Sequence, residues 1–388
     1  MTQNSAKALD EQVDVLVVGA GLSGLYILYC LRQRGLKARA FEAGSGVGGT
    51  WYWNRYPGAR VDVESTQYSY HFSDELVREW QWTEKFAAQP ELLRYVNYVA
   101  DRFDLRRDIK FDTRVTAAVF DDESNLWTLR TDKGDVARAR YCIMATGSLS
   151  MPYRPPFPGL EDFKGDWYHT ARWPHEEVDF SGKRVGIVGT GSTGIQAIPV
   201  VAAQARHLTV FQRTPNYTAP ARNRPLEPGE QAAFNARHGE WREEVRHTFA
   251  AMTGFAPPTK YPHEDSAEQR RAYLEARWAE GGMPQSLIAS YLGVPVDEDA
   301  NRAVADFVRD KIREIVKDPE VAEKLCPPVD LPIGAKRPPI DTDYYETFNR
   351  DNVTLVDVRK APIERLTADG LQTTEGHYEL DAIIFATG

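Results

Sequence analysis

Two largely apolar runs, residues 13–18 and 184–188, each lead straight into a glycine loop of identical spacing. The first is Gly19-Ala20-Gly21-Leu22-Ser23-Gly24 and the second is Gly189-Thr190-Gly191-Ser192-Thr193-Gly194. A short apolar run of this kind reads as a buried parallel strand, and a helical stretch follows each loop. The plan is therefore strand, tight turn, helix, written twice. Glycines suit such a turn because the chain must reverse sharply, let its backbone approach a diphosphate, and bring the helix against the strand. The diphosphate then sits at the helix N-terminus. This repeat predicts an α/β chain with two Rossmann-like dinucleotide-binding domains.

The residue beyond the second strand separates the two copies. In the first, strand 37–41 ends at Glu42, eighteen residues past Gly24. A carboxylate there accepts hydrogen bonds from the ribose hydroxyls of the adenosine half of FAD or NAD. In the second copy, strand 207–211 leads at the same spacing to Gln212, Arg213 and Thr214, without an acid. A carboxylate would repel a 2′-phosphate, whereas an arginine and a hydroxyl can bind one, so this site is expected to prefer NADPH to NADH. The candidate nucleotide-binding residues are thus Gly19, Gly21, Leu22, Ser23, Gly24 and Glu42 in one unit. In the other they are Gly189, Thr190, Gly191, Ser192, Thr193, Gly194, Arg213 and Thr214. For Arg213 the plainer alternative is a solvated charge at a strand end.

A second repeat accompanies the first. Runs 115–120, 127–131 and 137–143 predict a short β-meander closing on Ala145-Thr146-Gly147, and a shorter equivalent over 363–388 closes on Ala386-Thr387-Gly388. Two dinucleotide units in one chain imply two nucleotides, the layout of a flavin enzyme reduced by a pyridine nucleotide. Between them, amphipathic charged stretches at 229–249, 266–280 and 298–317 predict a helical insertion. The expected organisation is a FAD-binding domain over 1–147, an NADP-binding domain over 148–224 and 333–388, and the helical insertion over 225–332.

Composition removes other classes. The net charge of −9 is spread along the chain, which gives no basic footprint for nucleic acid. No apolar run is long enough to span a membrane, and the first residues lack the charged and apolar regions of a signal peptide, so a cytoplasmic protein without a membrane partner is expected. Cys30, Cys142 and Cys326 lie far apart, which argues against a disulfide framework, a zinc site or a redox-active pair. There is no GxSxG elbow and no HExxH pair for a hydrolase. A monomer is expected.

Residues Phe163-Lys164-Gly165-Asp166-Trp167-Tyr168-His169-Thr170-Ala171-Arg172-Trp173-Pro174 match the FxGxxxHxxxWP fingerprint of type I Baeyer–Villiger monooxygenases at every fixed position. The stretch from Gly48 to Arg60, with Asp62, resembles the flavin-side segment of the same family. The resemblance runs from about residue 13 to residue 388. It implies FAD and NADPH as cofactors, a small-molecule ketone and O2 as substrates, and an ester or lactone as product. In that family NADPH reduces FAD, dioxygen adds at flavin C4a, and the resulting peroxide attacks the ketone carbonyl.

The resemblance also assigns roles. Arg337 corresponds to the active-site cation that steadies the peroxide anion and the developing oxyanion, a task in which one donor is worth about 3 kcal/mol and which suits a permanently charged side chain. Asp62 corresponds to the carboxylate that orients this arginine. On residues alone, Arg337 is a loop cation before two prolines and Asp62 a turn residue. Lys336 joins Arg213 and Thr214 at the 2′-phosphate, while Gly49, Thr50, Trp51, Tyr68 and Val115 fall on the flavin side. Gln89 matches a position near the cofactors, and His169 a link between domains or to cofactor handling rather than a base. Chains of the family continue past the second Ala-Thr-Gly, so the FAD domain is expected to be incomplete at its C-terminus. The alternatives are a flavin enzyme oxygenating nitrogen or sulfur, and a catalytically silent dinucleotide-binding module. The latter would have no need of Arg337 together with Asp62.

Overall fold

A computed structural model describes residues 10–248, 257–282 and 285–387. The chain runs through β1 (Asp10–Val18), α1 (Leu22–Gln33), β2 (Ala38–Phe41), α2 (Thr50–Trp53), α3 (Asp74–Glu79), α4 (Gln89–Arg102), β3 (Ile109–Lys110), β4 (Val115–Asp121), β5 (Leu126–Thr131) and β6 (Val136–Met144). It continues with β7 (Asp166–His169), β8 (Arg184–Val188), α5 (Ser192–Gln204), β9 (His207–Gln212), β10 (Ala219–Pro220), α6 (Glu230–Val245), α7 (Ala267–Glu280), α8 (Gln285–Ile288), α9 (Glu298–Ile315) and α10 (Pro319–Leu325). The last elements are β11 (Ile340–Asp341), α11 (Tyr344–Thr347), β12 (Val353–Asp357), β13 (Ile363–Thr367), β14 (Gly370–Thr373), β15 (His377–Glu379) and β16 (Ala382–Phe385). Phe249, the expected end of the first insertion helix, and Gly388, the expected end of the second repeat, lie outside the described residues.

Two compact units result: residues up to 55 with 90–152, and residues 56–89 with those from 153 onward. The first is built on a sheet of order β3-β2-β1-β6-β5-β4. Its β1 pairs in parallel with β2 and β6, and β6, β5 and β4 run antiparallel as a meander. Val15, Leu16 and Val17 are all buried, because a strand in the middle of such a sheet is covered on both faces. Leu16, Phe41, Leu129, Ala137 and Ala139 form a core on that sheet.

The second unit carries a parallel sheet of order β12-β9-β8-β16-β7 and a separate meander β13-β14-β15. Here the two copies of the plan differ. Nine-residue β6 is long enough to pair with β1 along its length and with β5 over 136–139, so the first meander is continuous with its parallel sheet. Four-residue β16 has both edges occupied by β7 and β8, leaving its meander to form a sheet of its own. The insertion helices follow their amphipathic pattern. On α9, Ala300, Val304, Phe307, Val308 and Ile312 are buried at three- and four-residue spacing, and Asp297 caps the helix by accepting the Ala300 N–H at 2.8 Å.

The fingerprint stretch is partly a strand. Asp166–His169 forms edge strand β7 alongside β16, with Phe385 opposite His169. Gly165 enters this strand under compulsion, since a Cβ there would lie 2.4 Å from the Asp381 carbonyl oxygen and 2.6 Å from the Phe163 ring. Trp173 is buried in the core of the unit beside Phe180.

Candidate functional site

The two glycine loops fold alike. Gly19 and Gly189 take φ of +104° and +109°, a region that side chains rarely adopt. A Cβ on either would meet a carbonyl oxygen at 2.5 Å, that of Ala145 in the first unit and of Ala386 in the second. Ala145 and Ala386, which open the two Ala-Thr-Gly closings, thus occupy equivalent places, each just past the returning strand. Gly21 and Gly191 cap α1 and α5 with φ/ψ of −77°/−168° and −79°/−172°, neither helix has an acid in its first turn, and no side chain caps either one. A helix N-terminus with no side-chain cap and no acid in its first turn suits a diphosphate. Gly49 closes the first cradle from the side: a Cβ on it would reach the Gly21 Cα at 2.9 Å, and the Gly48 N–H donates to the Ala20 carbonyl at 3.1 Å. Thr50 and Trp51 begin α2 directly after it.

The strand tips diverge as the sequence predicts. Glu42 is 5% exposed, and its carboxylate accepts the Ala20 N–H at 2.7 Å and the Gly44 N–H at 2.8 Å, one on each oxygen. The charge is fixed beside the glycine loop with lone pairs to spare for a ribose. In the second unit Gln212 is buried and donates to the Lys324 carbonyl at 2.6 Å, while Arg213 is exposed and Thr214 half-buried. Thr190 of the loop donates to the Thr214 carbonyl at 3.4 Å, joining loop to strand tip. Lys336 and Arg337 lie on a loop tied down nearby. Tyr217 donates to the Leu331 carbonyl at 2.9 Å, Asn216 to the Arg337 carbonyl at 3.2 Å, and Asn301 exchanges two hydrogen bonds with Ile333 at 2.9 and 3.0 Å.

Past this loop, β11 pairs with β10, and Asp341 is buried with the Thr218 hydroxyl and the Tyr344 N–H donating to its carboxyl. Burial pushes that carboxyl up to about 7 against the pull of both hydrogen bonds.

Arg337 and Asp62, distant in sequence, form an ion pair through one guanidinium nitrogen and Asp62 Oδ2. The arginine side chain is 62% exposed and the aspartate 6%. A buried carboxylate therefore anchors a cation whose other face stays open. Burial raises the Asp62 pKa, opposed by the charge and hydrogen bond of Arg337 and then by a hydrogen bond from Gln196. Gln196 is a contributor that no sequence motif marks. Its amide donates to Asp62 Oδ1 at 3.3 Å and to the Arg60 carbonyl at 3.1 Å, and accepts the Tyr56 hydroxyl at 2.8 Å.

Four other expected positions have the following surroundings. Tyr68 belongs to the second unit, with its N–H on the Glu64 carbonyl at 3.0 Å. Gln89 is buried, its N–H donating to the Ala59 carbonyl at 2.8 Å. Val115 opens β4 opposite Thr131 and packs on the sheet core, two residues beyond Thr113, whose N–H meets the Glu42 carbonyl. His169 is buried, its Nδ1 accepting the Ala171 N–H at 3.2 Å, and its desolvated ring is held below the usual histidine pKa. Among the described residues no cluster could hold a metal ion, and no described helix is long and apolar enough to cross a membrane.

Residues 12–219 match the flavin-binding monooxygenase-like family. The chain belongs to that family. An acetone monooxygenase (methyl acetate-forming) from Gordonia sp. (strain TY-5) is 46% identical over 97% of this chain and 70% of its own length. A Baeyer–Villiger monooxygenase from Pseudooceanicola batsensis is 44% identical over 100% and 70%. A phenazine N-monooxygenase from Lysobacter antibioticus is 43% identical over 97% and 69%. Among solved structures, oxidised steroid monooxygenase bound to NADP superposes with a TM-score of 0.93 at 53% identity, covering 97% of this chain and 71% of that one. The two-cradle arrangement is thus that of a flavin-binding monooxygenase.

Proposed function

We propose that this chain is a FAD- and NADPH-dependent Baeyer–Villiger monooxygenase, inserting one atom of O2 beside the carbonyl of a small-molecule ketone to give an ester or lactone. The observation that carries this reading is the Asp62–Arg337 pair, an anchored and exposed cation in a chain with two dinucleotide cradles. Both cofactors fit the residues present. Each cradle is too tight for any side chain at its first glycine and presents uncapped helix amides.

FAD, when bound, supplies the redox carrier between NADPH and dioxygen. Gly19, Gly21, Gly24 and Glu42, with Leu22, Ser23, Gly49, Thr50 and Trp51 around them, would hold it. Gly189, Gly191 and Gly194 with Thr190, Ser192 and Thr193 would hold the NADPH diphosphate, and Arg213, Thr214 and Lys336 its 2′-phosphate. Arg337 stabilises negative charge as it develops on oxygen at the reacting carbonyl, and Asp62 keeps the guanidinium in place without neutralising its open face.

One relative gives a second reading substance. The phenazine N-monooxygenase is nearly as similar as the ketone oxygenases, so oxygenation of a ring nitrogen is the rival activity. Mass spectrometry of products from the purified chain given FAD, NADPH, O2 and a panel of aryl, cyclic and linear ketones and aromatic N-heterocycles separates the two. Esters one oxygen heavier than the ketone are expected. N-oxides without esters would replace this proposal with its rival.

A further inference from the structure

We propose that Gln196 is a positioning residue that couples the NADP cradle to Arg337 by fixing the Asp62 carboxylate. The inference rests on the activity proposed above and deepens it. Gln196 lies on α5, whose first turn forms the second cradle, and one helical turn separates it from Thr193, so both side chains face the same way. The Tyr56 phenol meets both, donating to Gln196 Oε1 at 2.8 Å and lying beside the Thr193 hydroxyl.

An amide can be placed either way round, and here its neighbours decide. The Arg60 carbonyl and the ionised Asp62 carboxylate can only accept, whereas the Tyr56 hydroxyl has a proton to give. Gln196 Oε1 therefore faces the phenol, and Nε2 faces the Arg60 carbonyl and Asp62 Oδ1, both of which are acceptors. A flipped amide would set oxygen against carboxylate. The Asp62 oxygens are thereby divided, Oδ1 to Gln196 and Oδ2 to Arg337, and the rotation of the carboxylate that holds the arginine is set from α5.

The backbone leaves no slack in this connection. Gly58, at φ +82°, lies so close to α5 that a Cβ would fall 2.2 Å from the Gln196 carbonyl oxygen. Packing does not account for the glutamine itself, since it lines a pocket of about 220 Å³ with Gly58, Arg60, Val200 and Ile340. A displacement of α5 by nucleotide at its N-terminus would be passed through Gln196 and Asp62 to the guanidinium.

The test uses Gln196→Met, Tyr56→Phe and the double variant of the full chain. First, 13C NMR of aspartate-labelled protein, assigned with Asp62→Asn, follows the Asp62 carboxyl through its titration without substrate. Losing a hydrogen bond to the ionised form should move its midpoint to higher pH in Gln196→Met. Second, with FAD, NADPH, O2 and a ketone turned over by the unmodified chain, the ester formed per NADPH should fall on the order of ten-fold, with hydrogen peroxide making up the difference. The KM for NADPH should change far less. Third, Tyr56→Phe should move both readouts in the same direction, and the double variant should be no worse than Gln196→Met, as for residues acting in series. Should Gln196→Met not fold, Tyr56→Phe carries the first two readouts. An unmoved Asp62 titration, or additive losses in the double variant, overturns the proposal. Absence of ester from the unmodified chain would instead overturn the proposed activity, while the titration still judges the role of Gln196.

Discussion

Alanine at Gly194 would place its Cβ 2.2 Å from the Gly189 carbonyl oxygen and 3.0 Å from the carbonyl carbon, against the 3.4 Å at which ordinary contact begins. Gly194 lies within α5 at helical φ, so the substitution adds no backbone strain and the whole effect is displacement. Its obstacles are backbone atoms, which no rotamer change can remove. The first turn of α5 must withdraw from the loop by about 1 Å, at a stability cost of roughly 1–3 kcal/mol. A shift of that size at groups that aim at a ligand costs about a hundredfold in function. Gly24→Ala meets the same collision in the first cradle, 2.1 Å from the Gly19 carbonyl oxygen. The pair therefore forms an internal control. NADPH affinity by calorimetric titration and FAD content by visible absorbance read the two cradles separately. Gly194→Ala should keep its flavin and lose about a hundredfold in NADPH affinity, whereas Gly24→Ala should purify largely without flavin. Normal NADPH binding by Gly194→Ala, or loss of flavin from it, would falsify the assignment of the cradles.

Arg337→Ala should retain flavin and NADPH oxidation while ester formation drops by roughly 10²–10³-fold in favour of hydrogen peroxide; normal ester yield would remove Arg337 from the chemistry. Arg213→Ala should raise the KM for NADPH by roughly ten- to a hundredfold and leave that for NADH unchanged, and an unaltered preference between the two would show that the 2′-phosphate is held elsewhere. Asp341 has a folded pKa of about 7 against an ordinary 3.8, so the native state binds the extra proton. Its stability contribution is present in acid and is lost as pH rises through that interval, by up to about 4 kcal/mol. Urea unfolding across that range should show Asp341→Asn gaining on the unmodified chain as pH rises, and parallel curves would mean that Asp341 is ionised in the fold.

Much of the fold was legible because glycine and apolar runs act locally. The run at 184–188 becomes β8 to the residue, and the predicted strands of the first meander appear as β4, β5 and β6 with no end extended by more than one residue. What local pattern could not show was pairing. Asp166–His169 has no apolar run and leaves Trp167 46% exposed, so only its partner β16 identifies it as a strand. The same holds in the site. Glu42 was readable from its distance to Gly24, but Gln196 looks like any polar residue in a helix until the fold brings Asp62 and Tyr56 to it. Arg337 and Asp62 were named through resemblance alone, since nothing about a loop cation and a turn acid in sequence says that they will touch.

The near-identity of the two cradles has a consequence for traffic between them. On the proposed assignment, loops whose caps agree within a few degrees would grip the part that FAD and NADPH have in common, and neither loop would refuse the wrong guest. Admission would then be decided beyond the strand, by a buried carboxylate at Glu42 and an exposed cation at Arg213. Salt screens exposed charges and largely spares buried ones. Rising ionic strength should therefore let NADH compete at the second cradle long before a phosphorylated nucleotide gains entry to the first.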